Sequence, residues 1–84
     1  MRKQDRVEND FLADIAIRLY KGQSYKKICL DLGYSIGSIK HFIRYIYKAC
    51  DVHSKIGLRI YIDAHFPNKR VNEADIKKAV KYYI

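Results

Sequence analysis

With 84 residues and 49% hydrophobic content, the chain can build one compact core but not two, because a chain this short buries only about 60% of the surface it exposes when unfolded. It has no apolar run near the roughly 20 residues that a bilayer span needs, and no apolar stretch follows Met1-Arg2-Lys3, which excludes the membrane and secretory classes and leads to the expectation of a cytoplasmic protein. Seventeen Lys and Arg against nine Asp and Glu give a net charge of +8 and a pI near 9.6, which favours a polyanionic partner; whether the partner is nucleic acid depends on where the charge is placed.

Apolar residues recur at helical spacing, with little of the alternation a sheet would need, so an all-α fold is expected. Met1 to Glu8 reads as a flexible basic N-terminal arm. A first helix is expected from about Asp10 to Tyr20, with Asn9 as N-cap, Leu12, Ile15, Ala16 and Leu19 on one face, and Gly22 as the stop. Ser24 is placed to cap a second helix of about two turns that ends at Gly33, with Ile28, Cys29 and Leu32 facing inward. Gly33-Tyr34-Ser35 makes a tight corner, and Ser35 caps a longer third helix from about Ile36 to Cys50. A fourth helix begins near Ser54 and ends before Pro67. Asn68-Lys69-Arg70 forms a loop, and Asn72 caps a last helix in which Ile76, Val80, Tyr83 and Ile84 recur at helical spacing. Cys29 and Cys50 are the two cysteines. Both sit in helical registers among Ile and Leu and read as small buried hydrophobes in a reducing compartment, with no disulfide.

Between Tyr25 and Phe42 the spacing is that of a helix-turn-helix: Ile28 and Leu32 inside, small Cys29 where the helices touch, Gly33 at the turn, and Ile39 and Phe42 packing back. At about 100° per residue, Ile39, Phe42, Ile43, Ile46 and Cys50 gather on one side of the third helix, and Gly37, Lys40, His41, Arg44 and Lys48 on the other. That outward stripe is basic and nearly free of acid, whereas an ordinary solvated face mixes both signs of charge. A helix with such a stripe suits the roughly 12 Å major groove of duplex DNA, where Lys or Arg donates to guanine O6 and N7.

The stretch Gly22-Gln23-Ser24-Tyr25-Lys26-Lys27-Ile28-Cys29-Leu30-Asp31-Leu32-Gly33, followed by Ser38-Ile39-Lys40-His41 and by Ile46-Tyr47-Lys48-Ala49-Cys50-Asp51-Val52-His53-Ser54-Lys55, resembles the LuxR/GerE-type DNA-binding domain. The resemblance runs without a gap from about Asn9 to Phe66. It implies a bacterial transcription regulator with a four-helix domain, whose third helix lies in the major groove and whose fourth forms a dimer contact. By matching position it implies base contacts from Lys40, His41 and Arg44, and phosphate contacts from Ser38, Lys26, Lys27 and Lys48. The chain departs from the family pattern at Leu12, Tyr25, Ile36, Phe42 and Lys55, which bears on the polar bracing and on the target sequence.

The fourth helix has apolar residues on two sides: Ile56, Ile60 and Ala64 on one, and Leu58, Ile62 and Phe66 toward the other. One core cannot use both, so Leu58, Ile62 and Phe66 are expected to contact either the C-terminal helix or a symmetry mate. The domain then spans residues 9–66, and 67–84 form a loop and a helix that packs on the domain or on the mate.

Chemistry is not expected. Cys50 and His53 have a C-x-x-H spacing, with His41 and His65 elsewhere, but a structural zinc site needs four ligands and no second close pair exists. Neither cysteine has a basic neighbour on its own face to lower its pKa, and there is no phosphate-cradling glycine loop or paired carboxylate. Tyr45, Tyr47, Tyr61, Tyr82 and Tyr83 fall within helices, where packing explains them better than base stacking does. The expectation is therefore a non-enzyme without cofactor or metal: a stand-alone regulator, or the output domain of a longer one, that binds double-stranded DNA as a homodimer in the cytoplasm, associated with the nucleoid and open to control by a regulatory protein. The alternatives are a helical protein-interaction module on the same scaffold and a sequence-blind architectural DNA binder.

Overall fold

The computed structural model describes the backbone of residues 3–81 and the side chains of residues 10–80. Among the described residues the chain forms five helices and no strand: α1 (Lys3–Tyr20), α2 (Tyr25–Leu32), α3 (Ile36–Cys50), α4 (Lys55–Ala64) and α5 (Glu73–Lys81). It is a small helical bundle, as the apolar spacing predicts.

Serine starts three of these helices. The hydroxyls of Ser24, Ser35 and Ser54 accept from the backbone N–H groups of Lys27, Ser38 and Gly57, satisfying donors that a helix start otherwise leaves orphaned. Gly33 ends α2 in the left-handed region at φ 74°, and the N–H groups of Gly33 and Tyr34 both reach the Cys29 carbonyl. α3 ends at Asp51, also left-handed at φ 56°; nothing in the sequence marks that position, because a non-glycine residue rarely adopts this conformation.

α1 differs from its expectation. It begins at Lys3, not near Asp10, so residues 3–8 of the expected arm belong to the helix. Its C-terminal half is the centre of the bundle: Leu12, Ala13, Ile15, Ala16, Ile17 and Leu19 are all buried, and α3, α4 and α5 pack on it. The core is completed by Ile28, Ile39, Ile43, Ile46, Cys50, Leu58, Ile62, Ile76, Ala79 and Val80.

α5 packs chiefly on α1 and only marginally on α4. Its start is a reciprocal cap: the Asp75 N–H donates to Asn72 Oδ1 at 2.9 Å, and the Asn72 N–H to Asp75 Oδ2 at 3.1 Å. Lys69 pairs with the same carboxylate at 2.9 Å. This ion pair, ahead of the backbone bond from Asn72, holds the Asp75 carboxyl below its usual range. A depressed folded-state pKa means that the stabilisation is full above the unfolded value of about 3.8 and is lost as pH falls through the folded value. Thermal melts between pH 6 and 2 should therefore show a smaller acid-induced drop in Tm for Asp75→Asn, which keeps the amide acceptor, than for the parent chain; equal drops would exclude this linkage.

Of the two apolar faces of α4, the core takes the one that carries Leu58 and Ile62. Leu58 and Ile62 are fully buried in the core with Ile76 and Val80, and Phe66 is half-buried, whereas Ile56 and Ile60 are 73% and 63% exposed. Leu58 and Ile62 are thus unavailable to a symmetry mate; of their two expected roles, only packing within the monomer is open. Tyr61, packed against the core beside them, widens that apolar arc and makes it the better face to bury. Cys50 is buried as expected, but Cys29 is only partly so. Ile36 stays 46% exposed at the start of α3.

Candidate nucleic-acid interface

The orientation of α3 follows from its inner row. Ile39, Ile43, Ile46 and Cys50 are buried, and this row turns the opposite side of the helix outward. Gly37, Lys40, His41, Arg44 and Lys48 are all exposed there, in the grouping that the spacing predicts. Where the inner row meets the corner, the rings of Phe11, Tyr34 and Phe42 pack mutually at 5.1–5.8 Å between centroids. His41 stands edge-on to Phe42 at 5.9 Å. Phe11 and Tyr34 were not singled out from the sequence; this cluster fixes the angle at which α3 leaves the turn.

α3 carries no Asp or Glu of its own. The described ion pairs fall on other elements: Arg18 with Asp14 at 3.3 Å and with Asp31 at 2.8 Å, Lys21 with Glu73, Lys27 with Asp31 at 3.3 Å, Arg59 with Asp63 at 4.0 Å, and Lys69 with Asp75. None of them uses Lys40, Arg44 or Lys48, nor Lys26 on the exposed side of α2. Lys27, expected on phosphate beside Lys26, is exposed but already held by Asp31. Ser38 is half-buried and accepts from the Ser35 hydroxyl at 3.1 Å, which leaves its own O–H free to donate.

Two clefts border the cationic row. One of about 210 Å³ is lined by Tyr25, Lys40, Ile43, Arg44 and Tyr47. The other, of about 380 Å³, is lined by Arg44, Tyr47, Lys48, Asp51, Val52 and His53. Between them the hydroxyls of Tyr25 and Tyr47 lie 3.2 Å apart. Burial, and then the Tyr25 hydroxyl, push the Tyr47 phenol far above its usual value, so it stays neutral near pH 7 as a hydrogen-bonding group. Sequence reasoning missed Tyr25 and Tyr47 as a pair, because they lie 22 positions apart on different helices.

Lys55 shows how the scaffold is braced. Its ammonium donates to the Gln23 carbonyl at 3.0 Å and sits 5.6 Å from the centre of the Tyr25 ring, tying the start of α4 to the turn before α2. At the end of α1, the Tyr20 hydroxyl donates to Asp63 of α4, with Arg59 over the Tyr20 ring at 5.2 Å. The chain matches no family model, no curated protein and no solved structure.

The features weighed for chemistry do not assemble. Burial raises the Cys50 thiol pKa, opposed only in part by a hydrogen bond with Tyr61, which disfavours the thiolate that a nucleophile or metal ligand requires. No three His, Cys, Asp or Glu side chains among the described residues come together as a metal site needs. Among the described residues no helix is long and apolar enough to cross a membrane.

Proposed function

We propose that this chain is a sequence-specific double-stranded DNA-binding transcription regulator, with α3 in the major groove. The observation that carries the reading is the outward row Lys40, His41, Arg44 and Lys48: exposed, and with no acidic partner for Lys40, Arg44 or Lys48 among ion pairs that occupy the other helices. Cations left solvated and unpaired keep their full attraction for phosphate and base acceptors. Lys40, His41 and Arg44 would face base edges, and Ser38, Lys26 and Lys48 the backbone on either side. The LuxR/GerE resemblance supports the same assignment. A bacterial, cytoplasmic setting and action on paired half-sites about 34 Å apart belong to this reading, with the exposed Ile56–Ile60 face of α4, not Leu58 and Ile62, as the surface for a second copy.

The test is selection from a random duplex pool. Recovery of a common motif is expected, and a palindromic motif would establish the paired arrangement; recovery without any motif would overturn sequence-specific regulation. A second reading, a protein-interaction module, is favoured by one observation, the exposure of Ile56, Ile60 and Leu30. Salt separates the two: affinity resting on phosphate contacts drops steeply between about 50 and 200 mM, and an apolar contact is nearly indifferent to it.

A further inference from the structure

The corner between α3 and α4 has a chemistry that groove reading by α3 does not use. The left-handed backbone of Asp51 turns the chain back, its N–H meeting the Lys48 and Tyr47 carbonyls, and the Val52 N–H bonds the Tyr47 carbonyl at 2.9 Å. This reversal carries His53 back beside the last turns of α3 and forms the 380 Å³ cleft with Arg44, Tyr47, Lys48, Asp51 and Val52. Arg44 and Lys48 are cationic side chains, and an imidazole is the side chain that can exchange a proton near neutral pH. Asp51 is the only carboxylate lining the cleft among the described residues. The Tyr47 hydroxyl is engaged by Tyr25, and Lys55, two residues beyond His53, is held by the Gln23 carbonyl. The net charge of the lining is therefore +1 with a neutral imidazole and +2 with an imidazolium.

We infer that this cleft is a proton-sensitive phosphate site that seats one backbone phosphate of a bound duplex, with Lys48 and Arg44 on the oxyanion and His53 joining them as imidazolium. This rests on the duplex-binding reading. Arg44 lines both clefts, and its five N–H donors are enough to serve a base edge and this phosphate together. An anion on the cleft favours the charged imidazole, so phosphate binding and proton uptake at the cleft are linked. The extra affinity is present at the acid end of the range and is lost as pH rises.

The experiment is a pH series of duplex binding by the full chain, from pH 5.5 to 7.5 at constant ionic strength. Phosphate contacts are largely blind to sequence, so a random-sequence duplex at low salt suffices. Affinity should fall roughly fivefold across the series, about half of the tenfold limit that one unit of proton linkage sets. His53→Gln, at an exposed position, should flatten the profile while leaving the melting temperature unchanged. Asp51→Asn, which retains a residue tolerant of the left-handed region, should tighten binding by roughly threefold at every pH. An unaltered slope in His53→Gln, or weaker binding by Asp51→Asn, overturns the proposal. If no duplex binds at any pH, the DNA reading fails, and NMR of the His53 ring during titration with inorganic phosphate decides the cleft. A saturating shift with a raised titration midpoint retains a site for a small phosphate ligand, and no shift removes it.

Discussion

Replacing Lys40 and Arg44 together by alanine is expected to cost about 2–6 kcal/mol in binding a selected duplex, since each cation that donates well to a base is worth about 1–3 kcal/mol of discrimination. Both side chains are exposed and free of ion pairs among the described residues, so folding stability should change by no more than about 0.5 kcal/mol. The separation of these two effects is the informative part: a loss of affinity with an unmoved denaturation midpoint cannot come from a damaged fold. The single variant Lys40→Ala sharpens the test. If Lys40 reads a base, competition against duplexes substituted one position at a time should show relaxed preference at one base pair and unchanged preference elsewhere. If it only neutralises phosphate, every sequence should weaken alike, as the architectural alternative requires. A double variant that binds within about threefold of the parent would remove α3 from the interface altogether.

How much of this was legible beforehand varies along the chain for physical reasons. The serine caps and the Gly33 corner are local signals, because a hydroxyl acts on an N–H three residues ahead and a positive φ selects its residue directly. The outward row of α3 was equally readable: a helix with a nearly unbroken inner row of Ile and Phe leaves little freedom about which side faces water. The start of α1 was not. Lys3 to Asn9 contains one apolar residue, Val7, so periodicity had nothing to register, although Lys, Gln, Arg and Glu are all good helix formers. The two faces of α4 were likewise ambiguous, each an i, i+4 series of comparable apolarity, and only the position of Tyr61 and the packing on α1 decide between them. Among the site residues, His53 stands out in the sequence only by its C-x-x-H spacing to Cys50, too few ligands for a metal site. Its relevance comes instead from the reversal at Asp51, a conformation with no sequence signature at that residue.

Removing residues 67–84 should abolish cooperative folding, a stronger outcome than expected for a domain that ends near Phe66. Ile76 and Val80 are 2% and 0% exposed, and Ala79 is buried beside them; burying the two larger side chains contributes about 1.5–3 kcal/mol each. The loss is felt twice, because α5 packs chiefly on α1, where Leu12, Ala13, Ile15, Ala16, Ile17 and Leu19 are all buried and too broadly distributed around the helix for α3 and α4 alone to cover. At about 0.05–0.15 kcal/mol per residue, a chain of 84 residues has about 4–13 kcal/mol of stability in total, and the combined deficit consumes most or all of it. Urea denaturation followed by far-UV circular dichroism should give a sigmoidal transition for the whole chain and a sloping, baseline-like response for a fragment ending at Phe66. Ile76→Ala provides a graded version, with an expected loss of about 2–5 kcal/mol and an unchanged denaturant slope. A fragment that unfolds with the midpoint of the whole chain would mean that α5 is an appendage and that α1 is stabilised from elsewhere. The expected result makes α5 part of the scaffold that holds α3 outward, so the same truncation should eliminate DNA binding although it removes none of Lys40, His41, Arg44 or Lys48.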